Sequence, residues 1–189
     1  MIFLYSAVLA VALLLTLPYW AFQMVRVGKY RAGISERFGR VPRRILSPQS
    51  GSSIWVHAVS VGEVLAVSGV IQQLQVRFPT HRIVISTTTV AGQKLARERF
   101  GETNVFYFPI DLALAMRPYF EALRPTLIIV AETELWPNFF RLARQCGTRV
   151  AVINARISDR SFPRYRMVAH WLSPVLDNVD LFLAQSRES

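Results

Sequence analysis

The chain has 189 residues, 52% hydrophobic and 18% charged, which excludes a mainly solvated, disordered polymer and allows one ordinary domain with an appendage. A single cysteine, Cys146, excludes a disulfide framework and any multi-cysteine metal or iron–sulfur site, and fits a reducing compartment. The formal charge of +10, from 22 Lys and Arg against 12 Asp and Glu, points to an anionic partner: nucleic acid, phospholipid headgroups or a phosphorylated substrate.

The first element is apolar. From Ile2 to Phe22 there is no charged residue over 21 positions, and a membrane-spanning helix needs about 20. Tyr5, Tyr19 and Trp20 stand near its ends, where amphipathic rings favour the headgroup level. Pro18 is expected to kink or end its last turn. With no basic residues before it and no small-x-small site after it, a cleaved signal peptide is disfavoured. Residues 1–25 therefore read as a membrane-anchor helix, with a buried core helix as the other reading.

Residues 26–53 read as a basic juxtamembrane linker. Arg26, Lys29, Arg31, Arg37, Arg40, Arg43 and Arg44 face Glu36 alone, and Pro42 with Ser47 to Ser52 makes a turn-rich end. An excess of positive charge after an apolar span puts the following domain on the cytoplasmic side. Near anionic headgroups each such residue contributes about 1 kcal/mol. No DNA or RNA recognition motif accompanies the charge, so nucleic acid is not the expected partner.

From residue 54 onward short apolar runs alternate with amphipathic stretches. The predicted strands are Ile54–Val59, Arg82–Thr87, Asn104–Phe108, Thr126–Ala131, Arg149–Asn154 and Leu181–Ala184. Helical periodicity covers Glu63–Phe78, Ala91–Phe100, Leu112–Leu123, Pro137–Gln145 and Arg164–Leu176. Runs such as Leu-Ile-Ile-Val are apolar throughout, as expected of strands covered on both faces. The pattern predicts an α/β fold with a doubly wound, Rossmann-like parallel sheet.

In such a sheet the ligand lies outside the carboxyl ends of the strands. The residues to inspect are therefore Ser60-Val61-Gly62-Glu63, Thr87-Thr88-Thr89, Glu132-Thr133-Glu134, Asn154-Ala155-Arg156 and Gln185-Ser186. Two readings stand at Glu63: a carboxylate capping a helix N-terminus, or a general base taking a proton from an acceptor hydroxyl. Gly62 either adopts positive φ or lets a substrate approach the backbone. Of Glu132 and Glu134, one can cap the helix that Pro137 begins while the other faces the cleft. His57 reads as a core or rim histidine. His57, His81 and His170 have no partner at ligand spacing, so no metal is expected. No glycine-rich dinucleotide fingerprint follows the first strand, and Ser60 lacks a nucleophile-elbow setting.

Three blocks carry a resemblance: Trp55-Val56-His57-Ala58-Val59-Ser60-Val61-Gly62-Glu63-Val64, Ala131-Glu132-Thr133-Glu134-Leu135-Trp136-Pro137-Asn138 and Asn154-Ala155-Arg156-Ile157-Ser158. In order and separation they resemble the signature blocks of the 3-deoxy-D-manno-octulosonic acid (Kdo) transferases. The apolar N-terminus and its basic flank are similar too. The resemblance implies a GT-B glycosyltransferase, with two Rossmann-like domains facing each other across a cleft. It implies transfer of Kdo from CMP-Kdo to the 6′-hydroxyl of a lipid A precursor (lipid IVA) at the cytoplasmic face of the inner membrane. By match Glu63 is the proton acceptor and Glu132 stabilises the transition state. Ser60, Gly62, Glu134 and Arg156 are expected to line the substrate site, with Arg156 and Arg160 near the acceptor phosphates. Ala91 stands where relatives often carry Thr, so no hydroxyl is expected there.

A carboxylate base and a good leaving group suffice for single displacement, so no cofactor is expected. On this reading residues 54–189 are the acceptor domain, the nucleotide-sugar domain lies outside the chain, and the chain by itself is expected to be inactive. The competing reading is a membrane-anchored, non-catalytic module that binds an anionic lipid.

Overall fold

A computed structural model describes residues 2–26, 32–46, 51–156, 169–170 and 172–185. The apolar, β-branched runs form strands β1 (Ser53–His57), β2 (Arg82–Thr87), β3 (Val105–Tyr107), β4 (Pro125–Ala131), β5 (Arg149–Ala155) and β6 (Leu181–Ala184). The helices are α1 (Ile2–Arg26), α2 (Ile34–Arg37), α3 (Val61–Arg77), α4 (Val90–Phe100), α5 (Ala113–Leu123) and α6 (Pro137–Gln145). Each predicted strand is present, within two residues at either end. Of the helix expected at Arg164–Leu176, residues 169–170 and 172–176 are helical, and 164–168 and 171 lie outside the described residues.

The sheet has six strands in the order β3-β2-β1-β4-β5-β6, all parallel. Alternation along each strand divides the core into two layers. Trp55, Val84, Phe106, Ile128, Val130, Val150 and Val152 face α5 and α6, where Tyr119, Phe120, Phe139 and Phe140 pack on them. Ile54, Val56, Ile83, Ile85, Val105 and Ile129 face α3 and α4, against Val64, Val67, Ile71 and Ala96. Trp55 is the centre of the first layer. It is fully buried, its centroid lies 4.8 Å from that of Phe139 and 5.3 Å from that of Phe106, and its indole N–H donates to Ser86 Oγ at 2.7 Å.

Strand order reverses between β1 and β4. From β1 the chain moves outward through β2 to β3, then returns to pair β4 on the other side of β1. This is the switch point at which neighbouring connections run to opposite faces and leave a crevice at the carboxyl ends. Both carboxylate loops, Ser60–Glu63 and Glu132–Glu134, open there.

The N-terminal third departs from expectation in two ways. Helix α1 forms, but among the described residues no helix is long and apolar enough to cross a membrane, so the expected single-pass anchor is not supported. Pro18 lies inside the helix, removing one backbone donor. Near its start the helix is tied to the domain: Tyr5 Oη donates to Asp111 Oδ2 at 3.0 Å, and Asn138 Nδ2 donates to Ser6 Oγ at 3.0 Å.

The stretch read as a linker is, over residues 32–46, folded onto the sheet edge. Ile45 joins the core at 1% exposure. Glu36 is buried, accepts from the Tyr107 amide at 2.8 Å and bridges Arg44 at 2.7 Å. Gly39, at φ 96°, lies where an added Cβ would come within 2.8 Å of Ala115 Cα, so only glycine lets this stretch lie against α5. A basic composition conceals one buried acid that organises its neighbours.

Candidate active site

The β1–α3 junction builds itself from local sequence. Ser60 is the N-cap of α3, and its Oγ accepts from the Glu63 amide at 3.4 Å. Glu63, three residues on, reaches back: Oε2 accepts from the Val59 amide at 2.7 Å and Oε1 from the Ser60 hydroxyl at 2.8 Å. This is a capping box displaced by one residue, since the backbone donor is Val59 rather than the cap itself. Each carboxylate oxygen keeps a second lone pair, so capping leaves room for an incoming hydroxyl.

Glu63 is only 6% exposed. Burial raises its pKa; the Val59 and Ser60 hydrogen bonds oppose this, and the charge of Glu132 adds to it, with a net upward shift. A raised carboxylate is the stronger base. Gly62 lies in the first turn of α3 without positive φ, and an added Cβ would meet nothing closer than Ser60 Oγ at 3.9 Å. The positive-φ reading of Gly62 is therefore excluded.

Strand β2 braces this junction. The amides of Thr88 and Thr89 donate to the Val59 carbonyl at 3.2 and 3.0 Å. Thr89 caps α4 by accepting from the Gly92 amide at 3.1 Å. A Cβ on Gly92 would lie 3.2 Å from the Ser60 carbonyl carbon and 3.3 Å from the Val59 oxygen. Glycine there lets the first turn of α4 touch the loop that carries Glu63.

The β4–α6 junction is held by distant residues instead. Strand β4 ends as Glu132 turns to φ 61°, a left-handed conformation that costs a non-glycine residue about 1–3 kcal/mol. The turn is held on both sides: the Glu132 amide donates to the Ile153 carbonyl at 2.8 Å, and the Thr133 hydroxyl donates to the Arg156 carbonyl at 2.6 Å. The Arg156 amide returns a bond to Thr133 Oγ1 at 3.0 Å. Neither glutamate caps α6. The cap position is Trp136, without a side-chain bond, and the free amides of Asn138 and Phe139 donate to Asp111 at 3.0 and 2.8 Å. Asp111 follows β3 in the chain and is 2% exposed.

Glu134 is half-buried. Its pKa is raised by burial first and then by the charges of Glu63 and Glu132. The crevice thus gathers three carboxylates from two loops that sense one another's charge. Among the described residues no three His, Cys, Asp or Glu side chains form a metal-holding group.

His57 lies beneath the crevice as a fully buried core residue. Its ring stacks on Phe108 at 3.9 Å between centroids, Nδ1 lies 3.0 Å from Ser86 Oγ, and burial pushes its pKa down from 6.5 to about 3. It is neutral at ordinary pH. Ser60, Gly62, Glu63, Glu132, Glu134 and Arg156 all come to the carboxyl rim, with Arg156 exposed at the end of β5. Arg160 and Ser186 lie outside the described residues. Asp111 was not anticipated, because nothing local marks a loop aspartate as the cap of a helix 26 positions downstream. The sequence offers Glu132 or Glu134 as that cap, and the structure uses neither.

Residues 32–189 match the family described as 3-deoxy-D-manno-octulosonic-acid transferase (kdotransferase). The chain is 32% identical over 188 residues to a 3-deoxy-D-manno-octulosonic acid transferase of Haemophilus influenzae, covering 99% of this chain and 44% of the relative. It is 29% identical over 188 residues to the protein of that name from Chlamydophila psittaci, covering 98% and 43%. Over 136 residues it is 32% identical to a bifunctional glycosyltransferase/methyltransferase of Fusobacterium nucleatum, covering 70% and 21%. The chain thus spans less than half the length of the curated relatives it matches. With the carboxylate loops at the switch point and a family match over most of its length, the chain belongs to the Kdo transferase family.

Proposed function

We propose that this chain forms the acceptor side of a Kdo transferase that moves Kdo from CMP-Kdo to the 6′-hydroxyl of a lipid A precursor. The observation that carries this reading is the buried carboxylate of Glu63 at the β1/β4 switch point, with its pKa raised and Glu132 close enough to contribute. As the new glycosidic bond forms, Glu63 takes the proton of the acceptor hydroxyl and CMP leaves with the bonding electron pair. Glu132 faces positive charge developing on the Kdo ring in an oxocarbenium-like transition state. Ser60 holds Glu63 in place, Gly62 leaves an open approach, and Glu134 and Arg156 border the acceptor. On this reading CMP-Kdo is bound mainly outside these residues.

The acceptor is a lipid, and we place the reaction at the cytoplasmic face of the inner membrane. Exposed Leu4, Val8, Val11, Leu15, Tyr19 and Phe22 on α1 recur at helical spacing and support contact with a membrane surface.

The test is Glu63→Gln in the full-length protein, assayed with CMP-Kdo and lipid A precursor. Gln keeps the shape and the capping acceptor but is no base. Turnover is expected to fall about 10²–10⁴-fold with folding unchanged. Unchanged turnover would defeat the base assignment.

A further inference from the structure

Helix α1 meets the domain along one stripe. Tyr5, Ser6, Leu9, Ala10 and Leu13 are half-buried at i, i+4, i+8 spacing, while Leu4, Val8, Val11 and Leu15 are exposed. The polar end of that stripe enters the first turn of α6. Tyr5 Oη donates to Asp111 Oδ2 at 3.0 Å, the oxygen that also accepts from the Asn138 amide at 3.0 Å. The Ser6 hydroxyl donates to Asn138 Oδ1 at 3.4 Å and accepts from Asn138 Nδ2 at 3.0 Å. Asn138 Nδ2 donates in turn to the Asp111 carbonyl at 2.6 Å. One closed set of bonds thus joins α1, the β3–α5 connection and α6, across 106 and 132 positions of the chain.

This set is hard to break without consequence. Asp111 and Asn138 are 2% and 0% exposed, and among the described residues Asp111 has no cation within ion-pair distance. Three donors hold its carboxylate: the Asn138 and Phe139 amides and the Tyr5 hydroxyl. A buried carboxylate depends on such donors more than a solvated one does, because the group is already desolvated.

The set holds one end of the loop that carries Glu132 and Glu134. Five residues, Glu132 to Trp136, connect β4 to α6. Their first end is fixed by the Glu132 amide on the Ile153 carbonyl. Their other end has no local cap, so Asp111 sets the direction in which α6 leaves the loop. A first turn of α6 that shifts on Asp111 therefore carries Glu134 with it. A misplacement of about 1 Å at a reacting group is enough to cost about 10²-fold in rate.

We propose that Tyr5 and Ser6 are positioning residues: seated on Asp111 and Asn138, they fix the first turn of α6 and thereby the Glu132–Glu134 loop. The consequence for turnover rests on the Kdo-transfer reading, and the coupling itself does not.

Hydrogen exchange in the 189-residue chain reads the coupling without any substrate. Tyr5→Phe keeps the ring and removes the donor. It is expected to speed exchange of the Asn138 and Phe139 amides about tenfold and of the Glu132 amide about threefold. The Val59 amide, bonded to Glu63 on the other loop, is expected to exchange at the wild-type rate. Kinetics of the full-length protein with CMP-Kdo and lipid A precursor read the consequence. Tyr5→Phe is expected to lower kcat about threefold with the KM for CMP-Kdo unchanged. It is also expected to move the acid limb of the pH profile to lower pH, because Glu132, whose charge raises the Glu63 pKa, is less closely held, and Glu134 and Glu63 repel in the same sense. Loss of folded protein alone lowers apparent kcat but leaves that limb in place. Thr16→Val removes a hydroxyl that donates to the Ala12 carbonyl of its own helix at 2.7 Å, and is expected to match wild type in both measurements. Unchanged exchange of Asn138 and Phe139 in Tyr5→Phe overturns the proposal, and so does faster exchange with kcat and the acid limb unmoved. Turnover that survives Glu63→Gln but falls in Tyr5→Phe, with faster exchange, defeats the base assignment and supports the positioning role.

Discussion

The two loops that meet at the switch point are built in opposite ways. The β1–α3 loop is closed within five residues, Val59 to Glu63, by a cap and a carboxylate that satisfy one another. The β4–α6 loop has no such closure. It depends on Asp111 from the β3–α5 connection, on Ile153 in β5 and Arg156 just after it, and on a left-handed Glu132. A local motif places a side chain by covalent proximity and survives small shifts of the domain. A non-local one places it only once the sheet has formed, so its carboxylates report on tertiary packing. In the proposed reaction the base sits on the locally closed loop and the transition-state partner on the dependent one.

The contrast is tested most strongly by Glu63→Gln. It should remove about 10²–10⁴-fold of turnover in the full-length protein while the melting temperature stays within a few degrees of wild type. A large loss of stability instead would show that capping was its main role. Asp111→Ala should have the largest structural effect. It leaves two α6 amides and the Tyr5 hydroxyl without their acceptor, at a cost of about 2–4 kcal/mol in denaturant unfolding. A cost below 1 kcal/mol would mean that the β4–α6 loop needs no distant support. Ser60→Ala should cost about 1 kcal/mol, since one local cap is lost and the helix remains. Equal costs for Ser60→Ala and Asp111→Ala would erase the distinction between the loops.

The smallest effect concerns pH. The raised pKa of Glu134 means that the folded chain binds this proton more tightly than the unfolded one. Its contribution to stability therefore grows as pH falls through the folded value and is complete below the unfolded value near 4.5. Above that window the ionised carboxylate costs stability. Glu134→Gln should accordingly raise the melting temperature slightly at pH 7 and flatten the acid side of the stability profile. A lower melting temperature at pH 7 would show that an ionised Glu134 is favourably paired.

Much of this was legible from residue order. Apolar runs such as Leu127-Ile128-Ile129-Val130 read as buried parallel strands because nothing polar interrupts them. Ser60 and Glu63, three apart before an apolar helix face, read as a cap and a carboxylate on one turn. Other features were not legible, for physical reasons. Residues 32–46 look solvated because arginines dominate them, yet one buried glutamate and Ile45 dock the stretch to β3 and the core. The apolar N-terminal run reads as a span by length, while Tyr5 and Ser6 bond to the domain.

By itself the sequence determined the fold class, the positions of the strands along the chain and the residues that follow them, because period and capping are set by near neighbours. Tertiary structure alone decided which rims meet, which acid caps α6, and that Arg37 lies over the ring of Tyr107. Those depend on residues tens of positions apart, brought together only when the sheet closes and buried charge must find its partner.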